Sequence, residues 1–520
     1  MVQATPARSR GGRRARIASR TAEEPEADPC PPGQIGGQYQ PLSEAEIDRI
    51  YRTALRLLGE LGMGETPPVL IEAASKRGAF INAHGRLCFP QAMLEDIIAA
   101  APKSFVFHGR DPKHSFEVGA DKVHFGTGGA AVQTLDIDTG RYRPSTLQDL
   151  YDFTRLADRM RNLSWFTRNV VATDIPDNLD LDINTAYALL RGTMKPVGMS
   201  FFIGDYVQPV IDMFDLALGG DGKFAAAPFC KAHISPIISP LRYGEDAVDV
   251  TIAAIRGGMP LNCITGAQAG ATAPATAAGF LAQTLAETLA SLVMVHALAP
   301  GHPMIFGNWP FVVDLRTGSF VGSGGETAMM NAASAQIGNW LGLPSGVAAS
   351  MADAKAVDAQ MGAEKSMTAL ATGLAGGNMI YESASMMASL LGASFEAMVL
   401  DNEMLAHILR TIRGIEVTEE TLGFDAIEAT VLGEGHFLGG AHTMAAMQRD
   451  YFYPPLANRD SPDVWAEAGA PDAWSTARET VRETLSEHHP DYLSDKADAA
   501  IRDRFEILLP DRASMLASAY

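Results

Sequence analysis

The 520-residue sequence lacks the short motifs that mark several common classes of enzyme. It has no G-x-S-x-G nucleophile turn, no Walker A phosphate-binding loop and no H-E-x-x-H zinc motif. Its glycine-rich stretches GTGGAA and GSGGE do not fit the dinucleotide-binding pattern. The 12 histidines are spread along the chain without metal-ligand spacing. We therefore expect this chain to bind no metal and no nicotinamide cofactor, and to supply no covalent nucleophile.

Paired cysteines, positive charge and long apolar segments are also scarce. The 4 cysteines include no C-x-x-C pair, which argues against a disulfide framework and fits a reducing cytoplasm. A net charge of -20 argues against binding to nucleic acid or to an anionic membrane surface. The most apolar stretch, residues 266–299, contains Gln, Thr, Glu and Pro, and predicts a loop and a buried helix. The expectation is a cytoplasmic homo-oligomer without membrane or nucleic-acid partners.

Composition and periodicity divide the chain into four parts. Residues 1–38 are rich in Arg, then in acids, then in Pro and Gly, as is typical of a disordered tail. Residues 39–159 predict a section of three helices and several short strands, in which Ser43 and Glu46 cap the first helix. Strands and helices alternate over residues 160–415, and residues 416–520 predict a helical C-terminal extension.

The stretch AVQTLDIDTGRYRPSTLQDL, residues 131–150, predicts a β-hairpin followed by a helix. The hairpin turn is Asp136 to Gly140, where Asp and Gly favour tight turns. Ser145 or Thr146 begins the helix, with Asp149 in its first turn. A small antiparallel element is therefore expected just before the regular alternation of strands and helices.

Eight strand-like segments alternate with helix-like segments from residue 165 onward. The segments are 165–171, 196–202, 229–235, 260–266, 303–309, 345–350, 378–383 and 395–401. They are apolar on both faces, as in a parallel sheet that is covered on both sides. This pattern predicts an α/β fold, a (β/α)8 TIM-type barrel with helical N- and C-terminal extensions. A doubly wound sheet is the alternative, but that fold usually stops near six strands.

The carboxyl ends of barrel strands carry the active site. Here these ends are rich in aromatic and carboxylate side chains, which together attract a cationic ligand. The residues that we expect to bind substrate are Phe202, Trp309, Tyr381, Glu382, Asn308 and Gln268. Each aromatic side chain alone is also compatible with barrel packing, and Glu382 with an ion pair to a neighbour such as Lys355 or Lys365. No catalytic residue is assigned.

Three blocks of the sequence resemble the trimethylamine methyltransferase (MttB-like) family. TLDIDTGRYRPSTLQDLYDFTRLADRMRNLSWF, residues 134–166, resembles the family segment that precedes the barrel. Residues 352–384 resemble its sixth and seventh strand-helix units, and GEGHFLGGAHTMAAMQRDYFYPPLANRD, residues 433–460, resembles its C-terminal block. The resemblance runs from about residue 40 to the end of the chain. It implies that the hairpin is a structural element beside the barrel.

The resemblance implies methyl transfer from a methylated amine to the cobalt of a separate corrinoid protein. No D-x-H-x-x-G corrinoid-binding motif is present, so the corrinoid (cobalamin) is expected on that partner. The sequence contains no pyrrolysine and therefore resembles the branch that demethylates quaternary amines such as glycine betaine. The C-terminal block, with His436, His442 and Arg449, is expected either to dock the corrinoid protein or only to seal the barrel edge.

Other functions and several residue roles stay open at this point. The protein could instead demethylate a tertiary methylamine, or bind a betaine without catalysis. A Schiff-base lyase would use Lys355 or Lys231, because a Lys at a strand end is a candidate nucleophile. If the substrate is a betaine, its carboxylate needs a donor, and Lys355, Asn308, Gln268 and His233 are unranked candidates for that role.

Overall fold

The structure is a computed structural model that describes residues 28–514. Most of the predicted N-terminal tail therefore lies outside the described residues. The chain divides into two compact units. Within residues 28–514, the large unit comprises residues 32–413 and 454–514, and the small unit comprises residues 28–31 and 414–453.

The large unit is built on one curled sheet that is mostly parallel. Its parallel strands are β1 (Lys122–Phe125), β2 (Phe166–Thr167), β3 (Val197–Met199), β4 (Cys230–Ile234), β5 (Leu261–Thr265), β6 (Met304–Asn308), β7 (Ser345–Ala348) and β8 (Met379–Tyr381). Neighbours from β2 to β8 pair in parallel in chain order, and β8 pairs in parallel with β1. A ninth strand, Gln34–Ile35, pairs antiparallel with β1.

One helix of eight residues or more follows each parallel strand before the next one begins. These helices are α1 (Leu147–Asp158), α2 (Asn178–Gly192), α3 (Val207–Leu218), α4 (Glu245–Arg256), α5 (Ala277–Leu298), α6 (Gly325–Trp340), α7 (Ala359–Leu374) and α8 (Phe395–Arg413). All residues of β6, β7 and β8 are buried, as expected for parallel strands covered on both faces. The predicted mixed α/β class is confirmed.

Seven of the eight predicted strands are found, and the eighth, residues 395–401, is wrong because it begins helix α8. Residues 395–399 are all buried, and a short buried run of this kind has no period that distinguishes a strand from a helix. The eighth parallel strand is instead β1, at residues 122–125, which pairs with β8 on the side away from β7. It lies outside the predicted range 160–415. Three consecutive buried residues in β1 mark it as a strand covered on both faces.

The predicted hairpin and the helix after it are confirmed. Strands Gln133–Leu135 and Tyr142–Pro144 pair antiparallel, and the first of them also pairs in parallel with Gly392–Ser394. Thr146 caps α1 by accepting a hydrogen bond from the backbone N–H of Asp149. The Asp149 side chain in turn accepts from the backbone N–H of Thr146, which completes a capping box.

The remaining elements surround this α/β core. The three predicted N-terminal helices are confirmed as Glu44–Arg56, Pro68–Ser75 and Gln91–Ala100, with a π-helical turn at Leu57–Leu61 after the first. Antiparallel pairs join Phe80–Ile81 to Leu87–Cys88, Ser104–Phe107 to Phe116–Gly119, Ile237–Ile238 to Arg242–Tyr243, and Met386–Met387 to Gly392–Ser394. A three-stranded sheet contains Gln268–Ala269, Phe311–Val313 and Phe320–Val321. Short helices are Pro112–His114, Gly204–Tyr206 and Lys223–Ala226, and C-terminal helices are Pro462–Glu467, Ala473–Glu487 and Asp495–Arg504.

The small unit contains helices Glu419–Leu422, Phe424–Leu432 and Ala441–Arg449. None of these three helices has a buried residue. Large apolar side chains are exposed on them, including Phe424, Val431 and Leu432. This unit therefore has little apolar core of its own.

Helix α5 is the long helix expected within residues 266–299. Its 22 residues are long and apolar enough to cross a membrane, by length and composition only. However, 83% of its most apolar window is buried inside the protein. The core helix of a folded domain meets the same criterion.

Candidate active site

A cavity of about 560 Å³ opens at the carboxyl ends of the parallel strands. Its wall includes Phe202 after β3, His233 in β4, Gly266 after β5, Trp309 after β6 and Glu382 after β8. The first turns of α4 and the loop after β1 complete the wall. Because parallel strands present their carboxyl ends at the same edge of the sheet, residues far apart in sequence meet here.

Three rings form an aromatic cluster at this cavity. The ring centroid of Trp309 lies 5.0 Å from that of Tyr381 and 5.2 Å from that of His233. Tyr381 and His233 are 5.6 Å apart, so each ring contacts both others. Trp309 and His233 line the cavity, whereas Tyr381 is fully buried behind them. The faces of such rings carry partial negative charge, which favours a cation.

The Glu382 carboxyl is buried at the same cavity without a hydrogen-bond partner for either oxygen among the described residues. Its backbone has a φ of 62°, a left-handed conformation that is uncommon outside glycine. Unpartnered buried groups and strained backbone cost about 1–3 kcal/mol each, so they persist mainly where they serve function. Burial raises the pKa of Glu382 to about 8, although Lys365 and Lys231 lower it.

Two glycines leave room for this carboxyl. A Cβ on Gly128 would lie 3.0 Å from Oε1 of Glu382, and a Cβ on Gly129 would lie 2.8 Å from Oε2. Gly129 also has a φ of 97°, which side chains rarely adopt. The loop after β1 therefore packs against the carboxyl through backbone atoms alone.

Lys231 in β4 is fully buried next to the aromatic cluster. Its ammonium nitrogen donates to Oγ1 of Thr167 at 2.9 Å and lies 4.7 Å from the centroid of the Tyr381 ring. A Cβ on Gly198 in β3 would lie 2.6 Å from the same nitrogen, so glycine at this position leaves room for the Lys231 ammonium. Burial lowers the pKa of Lys231 to about 7, while Cys230 and Glu382 raise it.

A buried ion pair supports the segment that carries Glu382. Nζ of Lys365 lies 3.0 Å from Oδ2 of Asp401 and donates to the carbonyl of Ser350 at 2.8 Å. The same Asp401 oxygen accepts from the backbone N–H of Ser385, three residues beyond Glu382, at 2.8 Å. Lys365 is therefore paired with Asp401. The alternative interpretation of Glu382, an ion pair with Lys365, is not what the structure shows.

The structure brings together four of the six predicted substrate-binding residues. Trp309, Glu382 and Phe202 line the cavity, Phe202 with 47% of its surface exposed, and Tyr381 contacts Trp309. Asn308 is buried within β6 and is not part of the cavity wall. Gln268 is half-buried in the strand Gln268–Ala269, also outside the wall.

The other predicted residues lie elsewhere. Lys355 is exposed and donates to the backbone carbonyl of Asp353 at 2.7 Å, and it is not in the cavity wall. His436 and His442 are exposed in the small unit. Arg449 lies in the same unit and pairs with Asp450 and Glu420, both at 3.0 Å.

Two charged residues near the cavity were missed by the sequence analysis. Asp182 in α2 is buried and accepts a hydrogen bond from the backbone N–H of Phe202 at 3.2 Å. Burial raises the pKa of Asp182 to about 7, against the attraction of Arg168. The available signal was a charged residue inside an apolar segment, in WFTRNVV for Arg168 and in LDINTAYALL for Asp182. Among residues 28–514, no group of three His, Cys, Asp or Glu side chains is arranged to hold a metal ion.

Together, the α/β fold and this cavity place an aromatic pocket with a buried carboxyl at the carboxyl edge of a parallel sheet. The model of the trimethylamine methyltransferase (MTTB) family matches residues 9–506. The match begins within the segment that was expected to be a tail. The chain therefore belongs to the trimethylamine methyltransferase family and is a methyltransferase, which confirms the resemblance seen in the three sequence blocks.

Individual relatives agree with this assignment. Trimethylamine methyltransferase MttB of Desulfitobacterium hafniense (strain DSM 10664 / DCB-2) is 31% identical over 89% of this chain and 93% of its own length. Glycine betaine methyltransferase of Desulfitobacterium hafniense (strain Y51) is 27% identical over 90% of this chain and 97% of its own length. Trimethylamine methyltransferase MttB of Methanosarcina barkeri is 30% identical over 88% of this chain and 95% of its own. These relatives differ in the substrate that their names state.

Proposed function

We propose that the protein transfers a methyl group from a quaternary amine, glycine betaine or a similar compound, to the Co(I) of a corrinoid held by a separate protein. The observation that carries this proposal is the buried, unpartnered carboxyl of Glu382 beside the rings of Trp309, Tyr381 and His233. Aromatic faces with one carboxyl form a cage for an organic cation. A relative named glycine betaine methyltransferase lends support to the substrate class.

The leaving group of a quaternary amine requires no acid from this site. A quaternary ammonium already carries its charge, and it leaves as a neutral tertiary amine when a methyl group departs. A free tertiary amine must first be activated, for example by protonation, so that site needs an acid aimed at the nitrogen. A quaternary site needs only a cage that holds the cation with one methyl group toward the acceptor.

The residues of this chain would bind and orient the substrate and keep water away from the departing methyl group. Trp309 and His233 contact the cation through their ring faces, and Glu382 supplies the compensating negative charge. Co(I) corrinoid supplies the nucleophile when the partner protein is bound. Among residues 28–514, neither Cys nor Lys lines the cavity, in keeping with a role limited to position and electrostatics.

We further propose that the curled sheet is a closed (β/α)8 barrel. The pairing of β8 with β1 supports this, because it joins the last and first parallel strands of the chain. A parallel bridge between Gly126 and Trp165 links the chain just beyond β1 to the residue before β2. A hydrogen bond of 2.8 Å from Ser164 N to Phe125 O lies beside it. The cavity at the strand carboxyl ends is where such barrels carry their active sites.

The small unit is proposed to contribute to docking. Its exposed His436 and His442, with Arg449 beside them in sequence, remain candidates for contact with the corrinoid protein.

The exposed apolar helices of this unit also support a homo-oligomer, because helices without buried residues need cover from elsewhere. We place the enzyme in the cytoplasm on the basis of its scattered cysteines. Unchanged turnover and unchanged corrinoid-protein affinity in His442→Ala would refute the docking role alone.

A tertiary methylamine is the second candidate substrate, because relatives named trimethylamine methyltransferase are 30–31% identical to this chain. The two candidates are separated by assay with a reduced cognate corrinoid protein. We expect methyl-Co(III) to form with glycine betaine or another quaternary amine. If it forms with trimethylamine and with none of the quaternary amines, the substrate class is wrong and the methyltransferase assignment stands.

A further inference from the structure

Glu382 and Lys231 are two buried titratable groups that face the aromatic cluster from opposite strands of the sheet. Lys231 projects from β4 and lies 4.7 Å from the Tyr381 ring, and Glu382 follows that same Tyr381 at the end of β8. The only hydrogen bond that the Lys231 ammonium donates within residues 28–514 is to Thr167, and neither Glu382 oxygen accepts one there. Glu382 in the cavity wall and Lys231 behind the aromatic cluster are thus buried without an ion-pair partner of opposite charge in hydrogen-bond contact.

We infer that Glu382 and Lys231 form a proton-exchange site that releases one proton when a quaternary ammonium ligand enters the cavity and recovers it after the methyl group has left. This inference rests on the proposed function, because it concerns the charge of the proposed substrate. It adds a role that the cation cage alone does not require. A fixed carboxylate would bind the cation without any exchange of protons.

The other charged and titratable groups around Glu382 and Lys231 are expected to keep their protonation state when a cation binds. On α7 and α8, Lys365 and Asp401 form a buried ion pair at 3.0 Å, and both keep their charge, with Lys365 lowering the pKa of Glu382. In β4, burial holds the pKa of His233 well below its usual value, so this ring is neutral. Arg168 after β2 is a further cation. Its positive charge attracts the Asp182 carboxylate and, by repelling the imidazolium form, adds to the lowering of the His233 pKa. The last titratable neighbour, the Cys230 thiol, is neutral because burial raises its pKa to about 12.

The empty cavity therefore favours neutral forms of both groups. Burial raises the pKa of Glu382 to about 8 and lowers that of Lys231 to about 7, so near neutral pH the carboxyl is largely protonated and the amine is partly unprotonated. Entry of a permanent cation reverses this preference at Glu382, because an adjacent positive charge stabilises the ionised carboxylate. The protonation of Lys231 changes little, because the ligand cation repels its ammonium while the newly ionised Glu382 attracts it. The cation and the proton therefore compete for the same site.

Methyl transfer then removes the positive charge of the ammonium, which had stabilised the ionised Glu382 carboxylate. The C–N bond of the ammonium breaks and its electron pair stays on nitrogen, while an electron pair of Co(I) forms the new bond to carbon. The product amine is neutral, so Glu382 takes a proton from solvent and the cavity returns to its initial charge. The proton released on binding equals the proton recovered after transfer, and the complete reaction is balanced without a net proton.

Calorimetric titration of the full-length enzyme with glycine betaine and with tetramethylammonium tests this inference. Titrations in two buffers with different ionisation enthalpies count the protons released on binding. Near pH 7 we expect about one proton per ligand, and an affinity that rises about tenfold per pH unit up to the pKa of about 8 and then levels off. Glu382→Gln should release few protons and bind more weakly. Lys231→Met should move the rise in affinity to higher pH, because the Lys231 cation lowers the pKa of Glu382.

Glu287→Gln is the matched control. Glu287 in α5 is also a buried carboxyl whose pKa is raised by burial, but it accepts hydrogen bonds from Ser239, Leu241 and Gln283 and is not in the cavity wall. Its replacement should leave the proton count unchanged. Binding of either ligand to the unaltered enzyme with no proton released and no pH dependence would overturn the inference and leave the proposed function intact. Failure of every quaternary ammonium to bind would overturn the proposed function, and this inference with it.

Discussion

Replacement of Trp309 by Leu tests the cation cage directly. Trp309 is 3% exposed, lies 5.0 Å and 5.2 Å from the rings of Tyr381 and His233, and lines the cavity. A desolvated cation-π contact contributes roughly 1–2 kcal/mol. Since each 1.4 kcal/mol is a tenfold change in affinity, Trp309→Leu should weaken binding of glycine betaine by about five- to thirtyfold.

Two comparisons separate the loss of a cation contact from a loss of shape. The compound 3,3-dimethylbutyrate has the shape of glycine betaine without its positive charge, so its binding should change much less in Trp309→Leu. Trp340→Leu removes a Trp that is 41% exposed on α6 and serves as the matched control. Calorimetry gives the affinities, and circular dichroism checks the fold. Equal losses for both ligands, or an unchanged affinity for glycine betaine in a folded variant, would remove Trp309 from the cage.

Three further predictions concern the support of the site and the stability of the fold. Asp401→Asn should lower the free energy of unfolding by about 3–5 kcal/mol in denaturant titrations, because it leaves the buried Lys365 ammonium without its carboxylate; an unchanged midpoint would contradict this. Gly129→Ala should reduce cation affinity, because its Cβ would lie 2.8 Å from Glu382 Oε2; unaltered binding would show that the carboxyl is not confined. Burial lowers the pKa of His124 to about 3, so the neutral ring is required in the folded state. The free energy of unfolding should therefore fall by about 1.4 kcal/mol per pH unit as the pH is lowered from 6.5 toward 3. His124→Gln should reduce this slope, and an equal slope in the variant would refute the prediction.

Much of the α/β core could be predicted from the sequence because its parallel strands are short apolar runs between helices. Seven such runs were located correctly. The eighth, beginning at Phe395, is buried without interruption over residues 395–399, and a short run of this kind does not distinguish a strand from a buried helix. The strand Lys122–Phe125 was assigned to the antiparallel section, because only its pairing with β8 reveals its place in the parallel sheet.

Residues of the candidate site were predictable where their position at the end of a strand decides which way the side chain points. Trp309 and Glu382 directly follow β6 and β8, and both reach the cavity. Asn308 precedes Trp309 by one residue, and successive side chains of a strand point to opposite sides, so the two do not share the cavity wall. The strained backbone of Glu382 and the approach of Lys231 to the Tyr381 ring depend on tertiary packing, which no local pattern encodes.

The central claim is that this methyltransferase demethylates a quaternary amine with a corrinoid acceptor on another protein. Its most direct test is the absorbance of Co(I) on a reduced cognate corrinoid protein, followed with glycine betaine, carnitine or trimethylamine as donor. We predict that the Co(I) signal falls and methyl-Co(III) appears only when the enzyme and a quaternary amine are both present, and that Glu382→Gln slows this change. Formation of methyl-Co(III) from trimethylamine alone, or no methyl transfer from any quaternary amine that binds, would contradict the account.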